Sequence, residues 1–279
     1  MLRQKIYETG NFCEIEIFRV SDRCKKFKRT KKVKESTPAQ RKLNDKKSQR
    51  HFIRLVHLNF SQKDLYVDLT YDGESIPDTR EEILKDIRNY VKRLKRIRKK
   101  MGIIEELKYI YVISNIDENG NKVRYHVHMI INDMDRDAAE QAWGKGRANT
   151  DRLQYNEYGV EGKSIYMCRQ ADGERAWGSS TNLKKVEAKI KDNRRELTKK
   201  KIELMEKCPE DRELFEKLYP GWTFTTCIIE RENEEGLGMT KFLIKMRKYD
   251  ENFKAPNETM IRRSQPKEDN ISDIQISLW

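Results

Sequence analysis

Two histidines stand two positions apart within an apolar segment, residues 124–132 (RYHVHMIIN). This segment predicts a β-strand, in which residues i and i+2 point to the same face. His126 and His128 would then present two imidazoles about 7 Å apart at most, while Val127 points into the core. Two imidazoles placed in this way can bind one divalent cation. An isolated pair is also compatible with two unrelated polar positions on a solvated face.

A cation held by this pair needs at least one further ligand, either a carboxylate or an amide. If the ion serves phosphoryl chemistry, Mg²⁺ or Mn²⁺ is favoured over a closed zinc site, which would need a fourth protein ligand. Such an ion would polarise a phosphate oxygen and spread the charge of an in-line displacement.

Tyr166 is the candidate nucleophile, in a segment (EGKSIYMCRQ) whose pattern predicts a helix. Lys163 and Arg169 lie three residues to either side of it and share its helix face. Two cations beside a phenol favour the phenolate and attract a phosphate, so this tyrosine could attack a phosphodiester. Local spacing alone favours a core tyrosine with flanking surface cations, and Tyr155 and Tyr158 are alternative nucleophiles.

Composition removes several classes of protein. The 279 residues include 59 Lys and Arg against 46 Asp and Glu, for a net charge of +13. No uncharged run approaches the ~20 residues of a membrane helix, and the N-terminus lacks the apolar core of a signal peptide. Five cysteines without a CxxC pair fit a reducing compartment. We therefore expect a cytoplasmic protein without membrane contact, and the basic excess favours nucleic acid as a partner.

The positive charge is densest in residues 23–34 (RCKKFKRTKKVK), where eight of twelve residues are basic and none is acidic. Such a run is either a solvated arm without specificity or a segment that follows DNA phosphates. The DNA-binding candidates in this basic arm are Arg23, Lys25, Lys26, Lys28, Arg29, Lys31 and Lys32.

The elements that would hold these residues are short strands and longer helices. Alternating apolar residues predict strands, and apolar residues three or four apart predict helices. The predicted strands are residues 12–19, 65–70, 109–114, 124–132, 223–229 and 241–246. The predicted helices are residues 37–58, 79–101, 135–143, 160–170 and 183–207, with 144–159 as a loop. This order predicts an α+β fold with a central antiparallel sheet and flanking helices.

With these motifs the sequence resembles the HUH endonuclease superfamily, and most closely the rolling-circle replication initiators of bacterial plasmids and phages. The H-x-H strand is followed about forty residues later by a helical Y-x-x-R. Other segments resemble one such initiator group in the same order, so that the resemblance covers roughly residues 35–250. These are TPAQRKLNDKKSQRHFIRLVHLNF, LYVDLTYD, RYHVHMIIN, residues 149–170 and RAWGSSTNLKK.

The resemblance implies an HUH/Rep nuclease fold, similar to ferredoxin and RRM domains, with LYVDLTYD as a central strand near the DNA cleft. It implies that His126 and His128 bind Mg²⁺ or Mn²⁺, that Tyr166 is the nucleophile and that Arg169 replaces the usual lysine. The family reaction nicks one strand of a single-stranded or hairpin origin. It leaves a 5′-phosphotyrosine and a 3′-OH that primes synthesis, and a later transfer closes the displaced strand.

Two positions of this sequence depart from the family pattern. Ser114 stands where a metal-binding carboxylate is usual, so that Asn115, Asp117 or a residue elsewhere is the third ligand. Arg169 keeps the charge of lysine but not its point-charge geometry. No P-loop is visible, so a host helicase must unwind the DNA for a host polymerase. The alternatives are a mobilisation relaxase or transposase of the same chemistry, or a non-catalytic nucleic-acid-binding module.

The C-terminal pentapeptide, Gln275, Ile276, Ser277, Leu278 and Trp279, resembles the short peptides with which bacterial proteins dock the replicative sliding clamp. Apolar anchors at the end of a polar tail suit binding in a groove. We therefore expect three regions: an N-terminal strand and basic arm (1–36), a nickase domain (37–250) and a flexible tail (251–279).

Overall fold

The computed structural model describes residues 2–20, 37–73, 75–117, 119–169, 171, 177–192, 197–231 and 240–248. Within these residues the strands are β1 (Leu2–Thr9), β2 (Phe12–Arg19), β3 (Leu65–Thr70), β4 (Tyr109–Ile116), β5 (Lys122–Ile131), β6 (Ala148–Arg152), β7 (Gly178–Ser179), β8 (Lys189–Asp192), β9 (Thr223–Arg231) and β10 (Thr240–Arg247). The helices are α1 (Pro38–Asn59), α2 (Arg80–Lys100), α3 (Arg136–Gln141), α4 (Glu161–Arg169), α5 (Lys199–Lys207) and α6 (Arg212–Leu218).

These strands form two antiparallel sheets. Sheet I has the order β8-β1-β2-β10-β9, and sheet II has the order β6-β3-β5-β4-β7. The α+β class with an antiparallel sheet and flanking helices is confirmed, and the HUH/Rep expectation agrees with it. The sequence did not reveal the second sheet, in which the N-terminal strand β2 pairs with the C-terminal strand β10. None of the helices in the described ranges is both long and apolar enough to cross a membrane.

Helix α2 forms where its apolar stripe predicts it. Thr79 accepts a hydrogen bond from the backbone of Glu82, whose side chain returns a bond to the backbone of Thr79. Ile83, Ile87 and Leu94 are fully or almost fully buried against one face of sheet II. Acidic residues in the first turn and basic residues in the last turn suit the helix dipole. The apolar face of α2 therefore covers one face of sheet II.

Helix α1 lies between the two sheets. Its apolar side chains pack on the other face of sheet II, and its arginines contact acidic side chains of sheet I. The apolar residues are Phe52, Leu55 and Val56, and the arginines are Arg50 and Arg54. Thr37 caps this helix, because its hydroxyl accepts a hydrogen bond from the backbone of Gln40. The Gln40 side chain does not return a bond to the cap and instead donates to Asn44.

Two predicted segments are wrong in part. Residues 144–159 include strand β6, which pairs with β3 at the edge of sheet II. Of the predicted helix over residues 183–207, only the last part is helical, because residues 189–192 form β8 and α5 starts at Lys199. Strand β8 pairs with β1, and Asp192 binds Arg3 there at 2.6 Å. A long-range pairing therefore overrides the helix propensity of a Lys- and Glu-rich segment.

The surroundings of His57, near the end of α1, favour the neutral form of its imidazole. Its ring stacks on Phe12 with 4.4 Å between centroids, and its Nε2 accepts a hydrogen bond from the backbone of Val160 at 3.3 Å. Burial, assisted by the charge of Lys245, lowers the pKa of His57 to about 3. The unfolded chain therefore binds a proton at this residue between its ordinary pKa near 6.5 and about 3, whereas the folded chain does not.

Stability is therefore expected to fall as the pH drops below the unfolded pKa. From pH 7 to pH 5, this histidine should remove about 2 kcal/mol from the free energy of unfolding. The change His57→Gln should flatten that dependence, as measured by urea unfolding at the two pH values. His51→Gln, in the same helix, is the control: burial also lowers the pKa of His51, but this shift is smaller than that of His57, so the variant should keep most of the slope. Equal slopes in wild type and His57→Gln would contradict the prediction.

Candidate active site

The two histidines lie side by side on the face of sheet II that α1 and α4 cover. The ring centroids of His126 and His128 are 4.8 Å apart and the ring planes are nearly perpendicular, at 86°. His128 is buried and His126 is partly exposed. Val127 and Met129 point to the opposite face and are fully buried in the cluster around α2. The shared face is as predicted, and binding of a metal by this pair stays a prediction.

A carboxylate on the neighbouring strand lies beside His128. Asp68 of β3 is the residue opposite His128 of β5, and its Oδ1 lies 2.5 Å from His128 Nδ1. The Tyr66 hydroxyl donates to the same Oδ1 at 2.6 Å and lies 2.7 Å from His128 Nδ1. Sequence reasoning placed LYVDLTYD near the site without selecting Asp68. Asp68 could have been selected because it is the one charged residue in the strand LYVDLT.

Hydrogen-bond acceptors indicate which nitrogen carries the proton in each neutral imidazole. The Asp68 carboxylate only accepts, which assigns the proton of His128 to Nδ1. His126 Nδ1 lies 3.1 Å from the carbonyl oxygen of Arg124, which also only accepts. Both rings therefore carry their lone pair on Nε2. Metal-binding histidines commonly show this arrangement, in which the other ring nitrogen donates to a carboxylate or a carbonyl.

The charges around Asp68 favour its ionised form. Burial alone would raise the pKa of its carboxyl group. Hydrogen bonds from His128 and Tyr66, together with the positive charge of Lys163, outweigh burial and hold that pKa below the ordinary value. The pKa of Tyr66 is raised, first by burial and then by the negative charge of Asp68. Tyr66 therefore remains a hydrogen-bond donor to an ionised carboxylate at neutral pH.

Helix α4 places Tyr166 on the same face. Its ring centroid lies 5.4 Å from that of His128. Lys163 Nζ lies 4.2 Å from the centroid of the Tyr66 ring and 5.3 Å from that of the Tyr166 ring. Arg169, in the last turn of the helix, is exposed. The structure therefore brings together the histidine, the tyrosine and one of the two cations that the spacing singled out.

The start of α4 is fixed by close contacts. Gly159 has φ of +69°, and an added Cβ would lie 2.5 Å from His57 Nε2, so that only glycine fits. The next residue, Val160, donates its backbone N–H to the same nitrogen. Glu161 forms an ion pair with Lys245 of β10. These contacts set the direction in which the tyrosine-bearing helix runs.

Of the suggested third ligands, Ser114 and Asp117 are held in other hydrogen bonds. Ser114 lies opposite His126 in the sheet, but its hydroxyl donates to the carbonyl of Ile116 at 3.1 Å. Asp117 accepts two backbone bonds from Asn119 and Asn121, at 2.8 Å each, in the turn after β4. In the described parts of the chain, no three His, Cys, Asp or Glu side chains are grouped to hold a metal ion. An ion held by the two imidazoles would take its remaining ligands from water or from phosphate oxygens.

The alternative nucleophiles lie in different surroundings. The Tyr155 hydroxyl donates to the carbonyl of Phe60 at 2.8 Å, and burial raises its pKa. Burial also raises the pKa of Tyr158, assisted by the charges of Glu157 and Glu161. Burial raises the pKa of Cys168 to about 12, so its thiol stays protonated at neutral pH.

Two sets of predicted binding residues fall outside the described residues. These are the basic arm, with Arg23, Lys25, Lys26, Lys28, Arg29, Lys31 and Lys32, and the clamp peptide, with Gln275, Ile276, Leu278 and Trp279. Both stay predictions, as does the division into three regions.

Comparison with known proteins supports the predicted resemblance. Residues 64–171 match a family model described as "Replication-associated protein". The matched segment runs from the start of β3 to just beyond α4 and includes Asp68, His126, His128 and Tyr166. A search of curated proteins found no match, and neither did a search of solved structures. The match indicates a role in DNA replication and agrees with a rolling-circle initiator.

Proposed function

We propose that the chain is a metal-dependent DNA nickase that initiates rolling-circle replication by cutting one strand of an origin. The observation that carries the proposal is the 5.4 Å distance between the ring centroids of Tyr166 and His128. His126 lies beside this pair on the same sheet face. All three residues belong to the segment that matches a replication-associated family.

In the proposed reaction, the Tyr166 oxygen attacks the scissile phosphorus and loses its proton to solvent. The bond between phosphorus and the 3′ oxygen breaks, and the 3′ oxygen takes up a proton from water. The products are a 5′-phosphotyrosine and a 3′-OH that primes synthesis. Attack of a 3′-OH on the phosphotyrosine reverses these bond changes, rejoins the strand and releases the tyrosine.

Each residue of the site has a distinct proposed role. His126 and His128 would hold Mg²⁺ or Mn²⁺, and the bound ion would polarise a phosphate oxygen. Lys163 Nζ lies 5.3 Å from the centroid of the Tyr166 ring and would attract the scissile phosphate to this tyrosine. Asp68 is a positioning residue, because it acts through the imidazole of His128. Arg169, exposed at the end of the helix, would contact the DNA phosphate.

The proposed partners are a single-stranded or hairpin origin and proteins of the host. Host helicase and polymerase would unwind the duplex and extend the 3′-OH. The peptide of Gln275, Ile276, Leu278 and Trp279 would recruit the sliding clamp.

The test is covalent capture of DNA by the full chain. A library of single-stranded oligonucleotides is labelled at the 3′ end, incubated with the protein and Mn²⁺, and separated on a denaturing gel. We expect a labelled protein adduct that EDTA suppresses, because the tyrosine keeps the fragment that lies 3′ of the cut. Mass spectrometry of the adduct should find the nucleotide on the peptide with Tyr166. No adduct with any oligonucleotide would reject the nickase and leave a non-catalytic nucleic-acid-binding module.

Removing the carboxylate beside His128 should weaken metal use. We expect Asp68→Ala to raise the Mn²⁺ concentration needed for half-maximal adduct formation by about 10- to 100-fold, because His128 loses the acceptor that orients it. Asp68→Asn keeps an oxygen acceptor and should recover part of the loss. The measurement is a Mn²⁺ titration of the adduct-forming rate.

Asp64 supplies the matched control for this titration. It is a buried aspartate just before β3 that accepts backbone bonds from Ser61 and Asp133. Asp64→Asn should lower thermal stability without changing the Mn²⁺ dependence. An unchanged Mn²⁺ dependence in Asp68→Ala would show that Asp68 serves folding only.

A further inference from the structure

A second positively charged site lies on sheet I, away from the histidine pair. A cavity of about 260 Å³ opens between the end of β2, the neighbouring strands and α1. Four cations line it: Lys5, Arg19, Lys47 and Lys241. One aromatic ring, that of Phe18, lies among them. Nothing in the proposed cleavage chemistry uses these residues.

The charge of this cavity is strongly unbalanced. The one carboxylate in its lining is Glu16. Glu16 already accepts a hydrogen bond from Arg54 at 2.6 Å, and Arg50 and Lys241 each lie 4.0 Å from its oxygens. The other cations therefore face the cavity with little neutralisation, which suits an anionic ligand.

The aromatic ring adds a second kind of contact. Phe18 is partly exposed, and Lys5 Nζ lies 5.3 Å from its ring centroid. Single-stranded nucleic acids bind to surfaces that combine an aromatic ring with cations. A base stacks on the ring, and the phosphates of the strand contact the cations. A base can reach such a cavity only when it is unpaired, as in a single strand.

The sequence positions of the lining residues also favour a nucleic-acid ligand. Residues 37–47, the first half of α1, are all exposed, and Lys47 at their end lines the cavity. Arg19, another lining residue, ends β2. The basic arm, residues 23–34, connects these two elements in the sequence. The described residues of the cavity thus lie on both sides of the most basic segment of the chain.

We infer that this cavity is a second DNA site, which holds an unpaired nucleotide of a single strand by stacking on Phe18 and by phosphate contacts with Lys5, Arg19 and Lys47. The site does not depend on the proposed nicking, because it belongs to sheet I and the histidine pair belongs to sheet II. Its role is to hold the strand outside the place of cleavage.

The test measures binding of a short fluorescein-labelled oligothymidylate to the full chain in EDTA by fluorescence anisotropy. We expect Phe18→Ala and Phe18→Leu each to raise the Kd about tenfold, since both remove the stacking surface. Leucine at position 18 keeps the apolar packing, so a loss of affinity in Phe18→Leu would not come from unfolding. Lys47→Ala should raise the Kd and reduce the slope of log Kd against log salt by about 0.7.

Lys42→Ala is the matched control, because it removes the same charge from an exposed position of the same helix. It should leave the Kd nearly unchanged. An equal loss in Lys42→Ala and Lys47→Ala would overturn the inference in favour of diffuse charge, as would wild-type affinity in Phe18→Leu. A duplex bound as tightly, with the same dependence on Phe18, would overturn the assignment to single strands.

The outcome is separable from the proposed nicking. The binding measurement in EDTA does not require adduct formation, so the two proposals are tested separately. If the wild type formed no adduct but Phe18→Leu still lost affinity, the nicking proposal would fail and the second DNA site would stand.

Discussion

Replacing Tyr166 with phenylalanine is expected to abolish the covalent adduct, with a loss of more than about 10³-fold in its rate of formation. The change removes the attacking oxygen and nothing else. The ring that lies 5.4 Å from the His128 ring stays in place, so the fold should lose at most about 1 kcal/mol. The measurement is the rate of appearance of 3′-labelled adduct under single-turnover conditions, together with a thermal unfolding curve.

Tyr155 provides a control that loses the same atom. Its hydroxyl donates to the carbonyl of Phe60 at 2.8 Å, so Tyr155→Phe should cost about 1 kcal/mol of stability. The adduct should still form at a rate close to that of the wild type. An adduct that survives in Tyr166→Phe but disappears in Tyr155→Phe would move the nucleophile to Tyr155.

Local patterns predicted the parts of the fold that carry a strong apolar period. The stripe of Ile83, Ile87 and Leu94 predicted α2, and each of these side chains is buried. Two apolar runs, residues 109–114 and 124–132, predicted the strands that became β4 and β5, and these two strands pair with each other. In each case the residues that determine the element are neighbours in the sequence. The pattern was therefore visible without knowledge of the fold.

The strands that sequence reasoning missed lack such a pattern. The β1 segment LRQKIYET carries polar residues toward both faces, because Gln4 is buried and Lys5 lies on the face that meets α1. The β6 segment ANTDR is held at a sheet edge by backbone pairing with β3. Neither segment has enough alternating apolar residues to predict a strand, although β1 pairs with its sequence neighbour β2 and β6 pairs with the distant β3.

The candidate site shows the same division. Alternation along one strand placed His126 and His128 on one face, and helical spacing placed Lys163 beside Tyr166. The contact of Asp68 with His128 depends on the register between β3 and β5. The two residues are 60 positions apart in the sequence. A search near Ser114 could not find it, because register is set by the whole sheet.

Replacing Arg54 with alanine is expected to cost about 3–5 kcal/mol of unfolding free energy, because Glu14 loses its arginine and Glu16 is left with the more distant Arg50 and Lys241. Arg54 is 7% exposed and binds both Glu14 and Glu16. Its guanidinium carbon also lies 3.5 Å from the centroid of the Tyr7 ring. Arg54→Lys keeps the charge but loses the fork and the stacking, so it should recover only part of the loss. Urea unfolding at neutral pH measures the difference.

Arg3 is the comparison that separates burial from charge. It also binds a carboxylate of sheet I, Asp192, through two bonds of 2.6 and 2.7 Å. That pair is in contact with solvent, where water replaces the lost partner, so Arg3→Ala should change stability far less than Arg54→Ala. Equal effects of the two changes would mean that water reaches Glu14 and Glu16. In that case the apolar contacts of α1 with sheet II, and not its ion pairs with sheet I, would fix the helix that lies between the sheets.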